Sequence, residues 1–108
     1  MTRFIQLKSN CTLALERCIR NCHQLVSEHR NSPGMEKCIE KAKECIDICV
    51  ECLDACESAK LDRGRVMNQT YQTCEICLNE FKQHELVEFQ ECANACLICM
   101  EELEYILA

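Results

Sequence analysis

Thirteen of the 108 residues are cysteine, about one in eight, a density that marks a dedicated scaffold. Their spacing is regular. Cys11, Cys18 and Cys22 are separated by 7 and 4 residues; Cys38, Cys45, Cys49, Cys52 and Cys56 by 7, 4, 3 and 4; Cys74 and Cys77 by 3; Cys92, Cys96 and Cys99 by 4 and 3. Thiolates are soft ligands that suit Cu(I), zinc and iron–sulfur clusters. Thiols three or four residues apart on a helix lie about 5–6 Å apart at Cβ, so their sulfurs can turn toward one ion. Cu(I) fits the pattern best, because it accepts two or three thiolates and allows neighbouring helices to share bridging sulfurs. The thiols from Cys38 to Cys56 alone form a column about 27 Å long at the helical rise. The result is a tube of sites rather than one site, with a capacity on the order of ten ions per chain set by the thiolate supply.

Other uses of cysteine fit less well. As a small buried hydrophobe it explains one or two positions, not thirteen, since Leu or Ile fills space better. An odd number cannot be fully paired into disulfides within the chain. Structural zinc sites use knuckle loops rich in Gly and Pro, whereas this chain has two Gly and one Pro. The CxxC pairs Cys49/Cys52, Cys74/Cys77 and Cys96/Cys99 fall in mid-helix, with no strand before them to make a redox turn. No C-x₂-C-x₂-C run of the ferredoxin type is present, and no catalytic constellation stands out. A multinuclear zinc or other soft-metal buffer remains the alternative, with a thiol-redox protein as the reading from another class.

The elements that must carry these thiols follow from the same spacings. Every step is a heptad step, so each helix presents its cysteines on one face. All thirteen falling on a two-in-seven face by accident is on the order of a once-in-10⁴ event. Breaks at Asn31-Ser32-Pro33-Gly34, at Asp62-Arg63-Gly64 and near Gln83-His84-Glu85 divide the chain into helices of about 3–29, 34–60, 65–82 and 85–107. Ser32 is the expected N-cap of the second helix and Pro33 its first helical residue. Short connections make sequential helices antiparallel neighbours. The predicted fold is all-α: one domain over 1–108, an antiparallel up-down four-helix bundle with a thiol-lined core.

Extending the stripes predicts two unlike ends. Phe4, Ala59, Met67, Leu103 and Ile106 gather at one as an apolar plug. His29, Met35, His84 and Glu85 gather at the other, above Leu25, Phe81 and Phe89. Imidazole and thioether are weaker Cu(I) ligands than thiolate, so His29, Met35 and His84 are expected to form a mouth through which ions pass. The predicted metal ligands are the thirteen cysteines together with these three residues. A second apolar column, including Ile19, Ile46 and Met100, widens the core or pairs protomers.

Composition bounds the partners. The net charge is −6 and the pI near 5.0, without a basic patch, which makes nucleic acid and anionic membranes poor partners. Met1–Lys8 lacks an apolar h-region, and no stretch approaches the length of a membrane span. The expectation is a cytosolic protein whose thiols stay reduced.

The chain resembles the four-helix-bundle, cysteine-rich copper storage proteins of bacteria, of the cytosolic kind. The resemblance rests on Cys18-Ile-Arg-Asn-Cys22, on Cys45-Ile-Asp-Ile-Cys49-Val-Glu-Cys52-Leu-Asp-Ala-Cys56, on Cys74-Glu-Ile-Cys77 and on Cys92-Ala-Asn-Ala-Cys96-Leu-Ile-Cys99. It implies storage of several Cu(I) ions by core thiolates, homo-oligomers that are often tetramers, and a copper donor or acceptor protein as partner. Cytosolic members tend to carry more cysteine; here Leu15, Leu25, Ala42, Phe81 and Phe89 occupy stripe positions that further thiols could use.

Overall fold

The structure, a computed structural model, describes residues 9–107. It contains four α-helices: α1 (Asn10–His29), α2 (Glu36–Glu57), α3 (Arg63–Phe81) and α4 (Val87–Leu107). The expected first turns of helix one, with Phe4 and Lys8, lie outside the described residues. Within them, α1 does not run on through residue 9 as expected. Ser9 is extended (φ −65°, ψ 159°), and its hydroxyl accepts from the Thr12 N–H at 3.1 Å, satisfying one of the free donors at a helix start.

Two other boundaries depart from expectation. The second helix starts at Glu36, not at Pro33, and Ser32 does not cap it. The Ser32 N–H donates to the His29 carbonyl and its own carbonyl accepts from Met35, so residues 30–35 form a turn. Gly34 stands at φ +81°, a left-handed conformation that glycine adopts without penalty. At the other end α2 stops at Glu57. Lys60 N–H donates to the Ala55 carbonyl and Ala59 N–H to that of Cys56, with Ala59 at φ +49°. This is the paired-bond helix stop in which the left-handed residue is usually glycine. Ala59 is accordingly exposed and plugs nothing.

Each helix packs against two others: α1 on α2 and α4, α3 on α2 and α4. The diagonal pairs make no backbone contact among the described residues, leaving the axis to side chains. The pairing is antiparallel, since Cys92 meets Asn21 while Cys99 meets Ala14, and Cys77 meets Lys41 while Cys38 meets His84. Twelve cysteines are buried and Cys56 is half-buried. Ala14, Ile48, Ala55, Val66 and Ala95 are buried too, although they lie off the predicted stripes. In a square bundle each helix touches two partners and buries a wider arc than two positions in seven. Alanine on those flanks also permits close helix approach.

Candidate metal centre

The centre of the bundle is a ring of four thiols, one from each helix. Cys18 (α1), Cys45 (α2), Cys74 (α3) and Cys96 (α4) place their sulfurs within 4.8 Å of one another. Cys18 Sγ is 3.5 Å from Cys45 Sγ and 3.8 Å from Cys96 Sγ, and Cys45 Sγ is 4.0 Å from Cys49 Sγ. The ring therefore continues along α2. All thirteen cysteines are free thiols. Around the ring, three S–H groups donate to backbone carbonyls: Cys77 to Lys41 at 3.2 Å, Cys92 to Asn21 at 3.1 Å and Cys99 to Ala14 at 3.1 Å.

Sulfur–sulfur contacts and burial govern ionisation. Cys18 is held below the ordinary thiol range because neighbouring thiols, Cys22 first and then Cys45, donate toward it. The same hydrogen bonds raise Cys22, Cys49, Cys74 and Cys96, reinforced by burial. Nearer the α1 start, burial lifts Cys11 to about 12, aided by Cys52 and Cys56. Burial also lifts Cys52 to about 11, against a hydrogen bond from Thr70 that lowers it.

Core electrostatics discriminate between metals. An ion that binds thiolate must displace a thiol proton. A Cu(I) ion that replaces one proton leaves the core charge unchanged. A single zinc ion held by the four ring thiolates would leave an uncompensated double negative charge, which a dry interior penalises heavily. The ring and the α2 column thus favour many monovalent soft ions with bridging sulfurs.

Of the three non-cysteine ligands expected at the mouth, His84 reaches a thiol, with Nε2 3.0 Å from Cys38 Sγ. His29 pairs instead with Glu88, Nε2 to Oε1 at 2.7 Å. That contact holds the Glu88 carboxyl below its usual range. Met35 is half-buried against the core. Both imidazoles flank Phe89, with ring centroids at 5.0 Å for His29 and 4.7 Å for His84, so one buried phenyl ring positions the two histidines. Glu85, expected with them, is exposed before α4. The plug at the far end is also narrower than expected: Met67 and Leu103 are buried, but Ile106 is 48% exposed.

Sequence reasoning missed Glu80. Its Oε2 lies 3.5 Å from Cys38 Sγ and 3.6 Å from His84 Nε2. Its spacing of four residues from His84 was the available signal, masked because a single Glu beside a stripe reads as solvated surface.

A family model described as Csp, copper storage protein, matches residues 1–108. Among solved structures, the chain is similar to a Cu(I)-bound copper storage protein, BsCsp3, with a TM-score of 0.86 and 25% identity over 91% of this chain and 95% of that one. It is likewise similar to the apo form of copper storage protein 3 from Bacillus subtilis, with a TM-score of 0.85 and 25% identity over 92% and 97% of the two chains. No curated protein matches the chain.

Proposed function

Because the chain belongs to the copper storage protein family, we propose that its bundle core stores several Cu(I) ions on cysteine thiolates. The role is binding rather than catalysis. The observation that carries this reading is the four-helix thiol ring, whose sulfurs lie within 4.8 Å of one another and which runs on into the Cys45/Cys49 contact. All thirteen cysteines serve as ligands, the ring and α2 column first. Cys11, Cys52, Cys56 and Cys99 extend the store toward the closed end, and Cys22, Cys77 and Cys92 convert their backbone-facing or thiol-facing hydrogens into metal bonds.

His29, Met35 and His84 form the route. At the closed end Met67 and Leu103 are buried, and an ion crossing their apolar layer would shed its ligands at large cost. At the mouth each step exchanges one soft ligand for another. The store works in the cytoplasm, where thiols stay reduced, and takes copper from, or gives it to, a donor or acceptor protein. No described helix is long and apolar enough to cross a membrane. Bundles associate as homo-oligomers, tetramers by family resemblance, and the exposed Leu13, Val50, Ile76 and Leu97 supply apolar outer faces for such contacts.

Anaerobic stopped-flow loading followed by removal with a Cu(I) chelator tests both store and route. The parent chain fills and then surrenders its copper; a chain that neither fills nor empties refutes storage. The triple variant His29→Leu, Met35→Leu, His84→Leu fills and empties more slowly, while its final content falls by at most about an ion or two, since thiolates set the capacity. If that variant exchanges at the parent rate while Leu103→Ala speeds exchange, ions pass through the other end.

A further inference from the structure

Cys38, Glu80 and His84 form a cluster in which Glu80 is a residue that Cu(I) storage does not explain. A carboxylate is a hard donor that Cu(I) uses poorly, yet the Glu80 side chain is only 13% exposed and faces a thiol and an imidazole. Its two oxygens are divided. Oε1 lies 3.3 Å from Lys37 Nζ, while Oε2 points at Cys38 Sγ and His84 Nε2. The Lys37 contact and the His84 stack on Phe89 are the outer supports that hold metal ligands in register.

The spacing of the three donor atoms is that of a coordination shell. Sulfur to nitrogen is 3.0 Å, sulfur to oxygen 3.5 Å and nitrogen to oxygen 3.6 Å. Tetrahedral zinc with ordinary bond lengths separates the same donor pairs by about 3.3–3.6 Å. Small side-chain adjustments close the difference. Charge fits as well. One thiolate, one carboxylate and one neutral imidazole leave a divalent ion with no net charge, unlike the four-thiolate ring. The His84 side chain is 25% exposed, so water can take the fourth position, as in open zinc sites.

We propose that Cys38, Glu80 and His84 bind one exchangeable divalent ion of the zinc class, at a site that shares Cys38 and His84 with the Cu(I) store and its route. The site lies across the mouth between α2 and α3. Zinc there withdraws Cys38 from the thiol column, so zinc and incoming copper compete at that position.

The test adds one equivalent of Zn²⁺ alone to the reduced, copper-free full chain under anaerobic conditions and reads the zinc shell by X-ray absorption. The expected shell holds one sulfur, with nitrogen and oxygen completing it. An all-sulfur shell would overturn the proposal. Glu80→Gln should weaken zinc by at least about tenfold in chelator competition, the effect of disturbing a metal ligand set, while Cu(I) capacity stays at the parent value. Glu88→Gln, which removes the carboxylate paired with His29 rather than with His84, should leave zinc affinity unchanged. Equal zinc binding by Glu80→Gln and the parent, or an equal loss in both variants, contradicts the site. Cu(I) capacity in the same variants reports separately on storage.

Discussion

Loading the reduced protein with Cu(I) raises its melting temperature by tens of degrees and leaves its helix content unchanged. A ligand that binds only the native state at a thousand times its dissociation constant adds about 4 kcal/mol per site. In a domain of this size about 1 kcal/mol moves the midpoint by several degrees, so a few filled sites suffice. The geometry supports retention of helix content, because the Cys45 and Cys96 sulfurs already stand 3.5 and 3.8 Å from that of Cys18 and metal enters without rebuilding the backbone. The gap between the two forms widens in alkali. In the copper-free fold burial raises thiols above their unfolded value, Cys52 to about 11 and Cys11 to about 12. The stability contributed by those neutral thiols is complete below the unfolded value near 8.5 and is lost as pH rises toward 11–12. Copper has already displaced the protons in the loaded form, so that form is spared. Thermal melts by circular dichroism at two pH values measure both effects. A loaded protein that melts where the copper-free protein does has no metal in its core.

Replacing Cys45, Cys49 and Cys52 together by serine removes several copper ions, and disproportionately more than replacing Cys74 and Cys77. Each variant breaks the central ring once, at Cys45 or at Cys74. The difference lies in continuity. Cys45 touches Cys49, Cys52 lies on the same α2 face nearer the closed end, and Cys52 and Cys56 couple to Cys11 there. Removing three successive α2 thiols therefore separates the two halves of the store, whereas α3 contributes two thiols beside an intact column. Serine keeps the size and helical role of each residue, so the comparison reads ligand loss. Equal loss per cysteine in the two variants would mean that α2 is not the spine.

The thiol store was legible because one seven-residue period specifies both helix and face. Every cysteine step obeys it, and twelve of the thirteen are buried. Capping was less legible. Ser32-Pro33 is a good helix start by residue type, yet the chain spends it on a turn and begins α2 at Glu36; local preference there yields to the packing that places Cys38 beside His84. Ala59 closes α2 in a left-handed conformation that residue type argues against, so nothing in the sequence separated it from the core stripe. Ile106 continues the α4 stripe one turn past Leu103, and about half of it meets solvent. Glu80 escaped notice for a different reason. Its role depends on α2 bringing Cys38 against the last turn of α3, a long-range juxtaposition that no local pattern contains.

Core thiolates hold many Cu(I) ions at once, and their number is read by counting bound copper. Fully reduced protein is titrated anaerobically with Cu(I) against a competing chelator, and bound copper is measured per chain. Near-stoichiometric uptake on the order of ten ions is expected, matching the supply of bridging thiolates, with about one proton released per ion. Saturation at one or two ions, or uptake without proton release, would contradict it.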